Sequence, residues 1–286
     1  MIPTIHQPLW MRGLYAAYVA LFFAFLALPL VVVSVFAFND SLFPALPWQG
    51  FTFEWFFGTE SPKVGVFHER GILGAIGTSL LVAICVAALS VFVGTCNAFL
   101  FTRYRFPFQG LLYVLMLLPL VIPGIVLGIS ILVFSSTLAN GIWDGFGIDL
   151  QALRPGLFLV ILGQFSFIAT IATLVISARL KKFDQTLEEA ALNLGATRLT
   201  AVRTVTMPYL APALIGATVV AFLMSFENFN TTLMLVGSDS PLTITMFDKL
   251  KHGSTPVLNA VSLLLIILSA TLGVLSLLFQ RSKDKD

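Results

Sequence analysis

The chain has 286 residues, of which 58% are hydrophobic and only 10% are charged, and its net charge at pH 7 is +2. Soluble domains carry roughly 25% charged residues, so this composition excludes a soluble globular protein and predicts an all-α, polytopic membrane protein in contact with lipid. The net charge by itself says nothing about nucleic acid, because its distribution matters more than its sum, and we expect no nucleic-acid partner.

Six apolar segments are long enough to cross a hydrocarbon core of about 30 Å, which takes about 20 helical residues. They are predicted near residues 14–38, 71–101, 109–136, 156–178, 208–235 and 257–280. The first is too long for the core of a signal peptide, so we expect it to remain as a helix. In the outer loop that follows, residues 39–70, the stretch FTFEWFFG (51–58) either lies flat at the membrane interface or packs over the helices.

The third segment contains two prolines that predict a broken helix. Pro119 and Pro123 each remove a backbone donor, while Gly124 and Gly128 permit the close approach of another backbone. A broken helix of this kind often lines a cavity, since the freed carbonyl groups need polar neighbours. The alternative, a simple kink packed against another helix, stays open.

The basic residues of the loops predict the orientation through the positive-inside rule. The outer side then carries five basic and eight acidic residues, and both termini and the polar stretch 186–208 are predicted to be cytoplasmic. Eleven of the 16 basic residues fall on the inner side when the N-terminus is cytoplasmic: Arg12, Arg103, Arg105, Arg179, Lys181, Lys182, Arg198, Arg203, Arg281, Lys283 and Lys285.

The polar stretch 186–208, TLEEAALNLGATRLTAVRTVTMP, interrupts the apolar pattern and predicts a short helical hairpin outside the lipid. Thr186 and Glu189 have the spacing of a capping box. Glu188 and Glu189 also place negative charge at the positive end of the helix dipole. These features predict that the first helix of the hairpin begins at Thr186.

The second half of this stretch predicts a turn and another helix. Gly195 is expected to end the first helix, because glycine adopts the left-handed conformation without a steric penalty. Thr197 is expected to cap a second helix running towards Met207, with Pro208 opening the next segment. The hairpin is therefore interpreted as a docking element that offers a surface to a partner.

Glu227 is the one ionisable side chain that the sequence places inside a predicted span, in AFLMSFENFNTTLMLV. A carboxylate within a membrane costs a few kcal/mol, so such a residue usually marks a transport path. The alternative is a structural acid near the outer interface, hydrogen-bonded to its helix neighbours. The residues expected along the path are Glu227, Asn228, Asn230 and Ser225, with Pro123 and Gly124 of the broken third segment.

No catalytic or metal site is predicted. His6, His68 and His252 lack metal-ligand spacing, and the chain has no nucleophile elbow, zinc-protease motif or phosphate-binding loop. We therefore expect no enzymatic activity and no cofactor in this chain, so that the driving energy comes from a partner or from an ion gradient.

At the hairpin the chain resembles a known family. Glu189-Ala190-Ala191, Gly195 and Val205-Thr206-Met207-Pro208 match the pattern E-A-A, three residues, G, nine residues, [IV]-x-[LM]-P. This pattern resembles the coupling loop of the permease subunits of bacterial binding-protein-dependent ABC importers of type I. The resemblance implies an importer transmembrane domain over residues 71–280, after an N-terminal helix and outer loop (1–70) and before a cytoplasmic tail (281–286).

The resemblance also implies the partners of a bacterial inner-membrane importer. Two copies of a cytoplasmic ABC ATPase would bind ATP and Mg²⁺ and hold the hairpin in a groove. A heterologous second permease subunit and an extracytoplasmic solute-binding protein would complete the assembly. The residues expected to couple to the ATPase are Glu188, Glu189, Ala190, Ala191, Gly195, Ala196 and Pro208.

Within the family the chain resembles the spermidine/putrescine-type permeases, which implies a small, amine-bearing, polyamine-like solute. The shared pieces are TSLLVAI, PGIVLGISILVF, SFENF and NAVSLLL. Those permeases commonly carry an acid where this chain has Gly124, and paired aspartates where it has Glu227 and Asn228. An amino-acid-like compound or an opine is therefore an alternative solute, and a gradient-driven secondary carrier is a more remote alternative.

Overall fold

The structure of the protein, a computed structural model, describes residues 9–43, 46–253 and 256–283. Its β-structure over these ranges is a single bridge between Asn39 and Phe51, so the all-α prediction is confirmed.

Two short non-α turns lie among the helices. A 3₁₀ turn (Gln151–Leu153) precedes α6, and a π-helical turn (Val202–Thr206) joins α8 to α9. The helices are α1 (Leu9–Phe36), α2 (Glu54–Phe57), α3 (Arg70–Arg103), α4 (Gln109–Val121), α5 (Gly124–Phe146), α6 (Leu157–Leu180), α7 (Thr186–Asn193), α8 (Arg198–Ala201), α9 (Met207–Phe226), α10 (Asn230–Leu235), α11 (Leu242–Lys251) and α12 (Val257–Lys283).

In the described part of the chain, six helices are long and apolar enough to cross a membrane, which confirms the predicted number of spans. His6 and residues 284–286 of the predicted tail lie outside the described residues. The candidate spans are Trp10–Phe36, Arg70–Arg103, Gly124–Phe146, Leu157–Leu180, Arg198–Phe226 and Val257–Ser276.

The third predicted span, 109–136, has the wrong bounds because the helix breaks between α4 and α5. Ile122 is extended (φ −75°, ψ 128°), as a residue before proline prefers to be, and Pro123 has no amide hydrogen with which to continue the helix. The predicted break is therefore confirmed, but the candidate span is α5. The connection from α5 to α6 starts at Gly147, after the end of α5.

The fifth predicted span, 208–235, is also wrong in its bounds. Helical backbone runs from Arg198 through Phe226, and the chain then turns before the short helix α10. The side-chain oxygen of Asn228 accepts hydrogen bonds from the backbone N–H of Thr232 (3.3 Å) and from its hydroxyl (3.0 Å). Such local side-chain bonds compete with the helical pattern, so the turn begins where Asn228 supplies an alternative partner.

The chain divides into two compact units, of which the first comprises Met1–Arg70 with Lys249–Ile267. Here Trp55 is buried and its indole N–H donates to the carbonyl of Asn39 at 2.8 Å. The ammonium of Lys63 pairs with Asp40 and Glu54, and the hydrogen bond to Asp40 is the main reason that the pKa of Lys63 is raised above 10.5. Trp55 is buried whereas Phe51, Phe53 and Phe57 are exposed, so both alternatives for residues 51–58 stay open.

The second unit, Gly71–Asp248 with the residues from Leu268, has α6 at the centre of its core. Small residues let the helices approach: a Cβ on Gly94 of α3 would lie 2.9 Å from the Cβ of Ala172 on α6. Two apolar clusters run along α6. The first contains Val82, Val86, Ala87, Leu159, Val160, Ile168, Ala221 and Leu235. The second contains Ala98, Ala172, Ile176, Leu180, Phe183, Leu210 and Ala217.

Candidate functional site

Two regions of the second unit contain the residues singled out in the sequence. One is the hairpin of residues 186–208, named the coupling hairpin after the role that the resemblance implies, and the other is a polar cavity beside the break in the third segment. The hairpin begins at Thr186, but the predicted capping box does not form. The backbone N–H of Thr186 instead donates to the carboxylate of Asp184 at 3.0 Å, and this bond lowers the pKa of Asp184 below its ordinary value of 3.8. Asp184 caps the helix because it lies two residues before the helix start, where its carboxylate oxygen reaches the first free N–H.

The turn of the hairpin has the left-handed geometry that was predicted from the presence of Gly195. Gly195 adopts a left-handed conformation (φ +91°). Its N–H donates to the carbonyl of Leu192 (2.9 Å), and the N–H of Ala196 donates to that of Ala191 (3.1 Å). These two bonds form a Schellman motif, which satisfies the last carbonyl groups of α7. Gly195 and Ala196 therefore have defined structural roles in the turn.

The second half of the hairpin continues directly into a membrane span. The hydroxyl of Thr197 accepts from the N–H of Thr200 at 3.2 Å, which confirms the predicted cap. Helix α8 then passes through the π-helical turn into α9 without leaving helical geometry. Pro208 lies in the first turn of α9, where the missing amide hydrogen does little harm. The second helix of the hairpin and the fifth span thus form one continuous helical element.

The outer surface of the hairpin is apolar as well as polar. Glu189 and Ala190 are exposed, and so are Leu187 and Leu194, of which Leu194 is 89% exposed. Leu187 and Leu194 lie outside every candidate span, so lipid is not expected to cover them. Exposed apolar side chains grouped on one element are typical of a surface that binds another protein.

Glu188 faces inward, unlike its neighbour Glu189. Its carboxylate accepts two hydrogen bonds from the guanidinium of Arg103, at 2.8 and 3.2 Å, and a third from the hydroxyl of Thr206. Arg103 and Thr206 had not been identified as functional residues from the sequence. The one available signal for Arg103 was its position in the last turn of an apolar helix, and that signal served only to predict orientation.

The polar cavity has a volume of about 280 Å³ and lies where α4, α5, α6, α9 and α10 meet. It brings together three of the residues predicted along the path, Gly124, Asn228 and Asn230. The hydroxyl of Thr231 contacts the carbonyl oxygen of Gly124 at 3.3 Å. The complete lining is Pro119, Leu120, Ile122, Gly124, Leu127, Phe167, Met224, Asn228, Asn230 and Thr231, and none of these side chains is charged.

A buried chain of hydrogen bonds supports the wall of the cavity. The hydroxyl of Ser225 donates to the side-chain oxygen of Gln164, and the amide nitrogen of Gln164 donates to the hydroxyl of Thr232 at 2.8 Å. Thr232 in turn donates to Asn228. Ser225 is therefore placed behind the cavity and holds Asn228 through two intermediates, instead of lining the cavity itself.

Glu227 and Pro123 are not among the lining residues. Glu227 is exposed and lies one residue beyond the end of α9, so it is not within the helix that was predicted to contain it, and its assignment to the path stays a prediction. The hydropathy of the surrounding sequence placed Glu227 inside a helix, whereas the helix ends one residue earlier. Pro123 adjoins Gly124 in the chain and positions it by ending α4.

Comparison with known proteins identifies the family. A sequence model of the "Binding-protein-dependent transport system inner membrane component" family matches residues 90–286. The chain is 29% identical over 279 residues to the spermidine/putrescine transport system permease PotC of Escherichia coli K12, covering 96% of each protein. It is also 30% identical over 207 residues to the sulfate transport system permease CysT of Salmonella typhimurium, covering 70% of this chain and 73% of that one.

The fold is shared with solved ABC importers. A bacterial ABC transporter that imports the acidic polysaccharide alginate superimposes with a TM-score of 0.73 at 17% identity, over 96% of both chains. At this identity the match concerns the fold alone. Together with the family match, it shows that this chain is a multi-pass membrane protein that belongs to the inner membrane components of binding-protein-dependent ABC importers, the permeases, and is similar to those of the spermidine/putrescine type.

Proposed function

We propose that this permease forms the path for a small, amine-bearing, polyamine-like solute and is driven by a separate ATPase that binds the coupling hairpin. The ATPase, in two copies, binds ATP and Mg²⁺ on the cytoplasmic side. A second, heterologous permease subunit and an extracytoplasmic solute-binding protein complete the importer. The termini and the hairpin are cytoplasmic in this proposal, as the basic residues of the loops predict.

The observation that carries the coupling role is the continuity of the hairpin with the fifth span. The Schellman turn fixes α7 against α8, and α8 passes into α9 without a break. A force applied to the exposed face of α7 is therefore passed through this turn to α8 and then along the continuous helix of α8 and α9. A flexible loop at the same place would absorb the displacement.

The coupling role is tested by the charge reversal Glu189→Lys, because Glu189 is exposed and Glu188 is not. We expect the variant to reach the membrane but to lose the co-purifying ATPase and ATP-dependent uptake. The matched control is Thr204→Lys, which adds a positive charge to the same hairpin outside the E-A-A segment, at another exposed position. Normal ATPase binding and uptake by the Glu189→Lys variant would exclude the coupling role.

The cavity supports an amine as the solute. Its lining has no arginine or lysine to bind an anion, whereas the carbonyl oxygen of Gly124 and the side-chain oxygen of Asn230 are suited to accept hydrogen bonds from ammonium groups. The volume of about 280 Å³ also suits a small molecule rather than a polymer. These properties favour a solute like the spermidine or putrescine in PotC's name over the sulfate in CysT's name.

Glu227 is proposed to attract the cationic solute at the mouth of this path, because it is exposed and adjacent to Asn228. Replacing Glu227 with glutamine removes the charge and keeps the shape. We expect uptake of labelled putrescine to fall several-fold with little change in the amount of folded protein. Unchanged uptake kinetics would make Glu227 a structural acid, and competition by amino acids or opines but not by amines would favour the alternative solutes.

A further inference from the structure

We propose that Arg103 is a positioning residue of the coupling machinery: it ties the coupling hairpin to the end of α3, so that a displacement of the hairpin moves α3 together with α9. This inference rests on the proposed function of the hairpin. It concerns a residue outside the E-A-A segment, on a different helix of the second unit.

The tie is bidentate and largely shielded from solvent. The two terminal nitrogens of Arg103 donate to the two carboxylate oxygens of Glu188 at 2.8 and 3.2 Å, and the two side chains are 15% and 16% exposed. Paired parallel bonds between a guanidinium and a carboxylate fix orientation as well as distance. A lysine has no such planar fork and would leave the carboxylate free to rotate.

Further groups hold the same ion pair from other segments. The ring of Phe183, which precedes α7, lies 5.4 Å from the guanidinium carbon, and the ring of Phe99 on α3 lies 6.0 Å from it. The hydroxyl of Thr206, in the π-helical turn, donates to the carboxylate of Glu188. Arg103 therefore makes contact with the hairpin at its first helix and, through Glu188, at its junction with α9.

The ion pair links α3 to the hairpin, to which α3 is not directly connected by the backbone. The hairpin is linked through the backbone to α6 on one side and to α9 on the other, whereas Arg103 lies 85 residues before Glu188. Without the ion pair, α3 would follow the hairpin only through apolar packing, which has little directional preference. The tie gives α3 a directional link to the surface on which the ATPase is proposed to act.

The location of Thr206 supports a role in movement. Helical π turns are rare and occur frequently at functional sites, and this one lies where the hairpin meets the membrane span. Thr206 is fully buried, and its hydroxyl donates a hydrogen bond to the carboxylate of Glu188 on another helix. The junction of the hairpin with α9 and its tie to α3 thus share one carboxylate.

The test uses the complex of permease and ATPase in lipid nanodiscs, with Arg103→Gln as the main variant. Arg105→Gln is the matched control, since it removes the same charge from an exposed position two residues away. The double variant Arg103→Glu with Glu188→Arg restores an ion pair in reverse. Spin labels at Tyr104 and Ile148, both exposed, report the position of the α3 end by electron paramagnetic resonance after Cys85 and Cys96 are replaced with alanine.

We expect ATP and Mg²⁺ to shift the distance between the labels in the parent protein and in Arg105→Gln. In Arg103→Gln the ATPase should stay bound while the shift falls at least about twofold, and amide exchange of α7 should rise about tenfold. The reversed pair should recover at least half of the shift. An undiminished shift in Arg103→Gln, an equal loss in Arg105→Gln, or no recovery by the reversed pair would each overturn the proposal.

Failure of the proposed function gives a different result. If Glu189→Lys retains normal ATPase binding and normal uptake, the coupling role of the hairpin is excluded whatever Arg103 does. If Glu189→Lys releases the ATPase but Arg103→Gln leaves the label distance responsive to ATP, the coupling role stands and the tie to α3 is excluded.

Discussion

Replacing Gly128 with alanine tests whether α10 is held against α5 at the limit of backbone contact. A Cβ at this position would lie 2.9 Å from the Cβ of Met234 and 3.0 Å from the carbonyl oxygen of Thr231. Carbon atoms prefer separations of about 3.5–4.0 Å, so the two helices have to move apart by roughly half an ångström or more. Overpacking of this kind destabilises a protein by about 1–3 kcal/mol.

Gly141 provides the matched control because it lies on the same helix and a Cβ there would meet no atom within 4 Å. Both substitutions gain the helix preference of alanine over glycine, about 1 kcal/mol, so the difference between them isolates the packing effect. We expect Gly128→Ala to be about 1–3 kcal/mol less stable than Gly141→Ala. At roughly 2–4 °C for each kcal/mol, the difference in Tm is readily measured by tryptophan fluorescence in detergent.

The same two variants decide whether α10 shapes the cavity. If α10 moves away from α5, Thr231 withdraws from the carbonyl of Gly124 and the cavity widens, so uptake should fall in Gly128→Ala alone. Equal Tm values for the two variants would show that α10 is free to shift. The close contact would then have no energetic consequence, and the reasoning about the cavity wall would fail with it.

Two further predictions concern the hairpin. Gly195→Ala places a side chain in a left-handed backbone (φ +91°) and should destabilise the turn by about 1–2 kcal/mol, whereas Gly195→Asn should be tolerated better. The measurement is amide exchange, which should be faster in α7 and α8 of the alanine variant. Equal exchange in the two variants would contradict the prediction. Asp184→Ala should loosen the start of α7 more than Asp184→Asn, which keeps an oxygen acceptor. Because the pKa of Asp184 is lowered in the folded protein, its contribution is present above pH 3.8 and is lost as the pH falls through the lower folded value, so the parent protein should lose its advantage over Asp184→Asn in strongly acidic buffer. An advantage of the parent protein over Asp184→Asn that is unaffected by acid would refute this assignment.

The features predicted well from the sequence depend on residues close together in the chain. The Gly195 turn, the Thr197 cap and the break at Pro123 each arise from the local conformational preferences of one or two residues. The start of α7 was predicted at the right residue with the wrong cap, since Asp184 and Thr186 are both good capping residues and only geometry decides between them.

The features that were missed depend on tertiary structure. Nothing local indicates that Glu188 faces inward while Glu189 faces outward, because the difference is made by Arg103, 85 residues earlier. Glu227 was placed within a span because hydropathy averages over a window. The helix end is set by the side-chain bonds of Asn228, and these require Thr232 to be in place.

The continuous helix from Arg198 to Phe226 also restricts which changes of length the chain can tolerate. An α-helix turns by about 100° for each residue, so one residue inserted in α9 would rotate Ser225 away from Gln164 and detach it from the hydrogen-bond chain behind the cavity. An insertion of the same size between Gly147 and Gly156 would only lengthen a surface connection. The number of residues between the hairpin and the cavity is therefore as much a determinant of the transport path as the residues themselves.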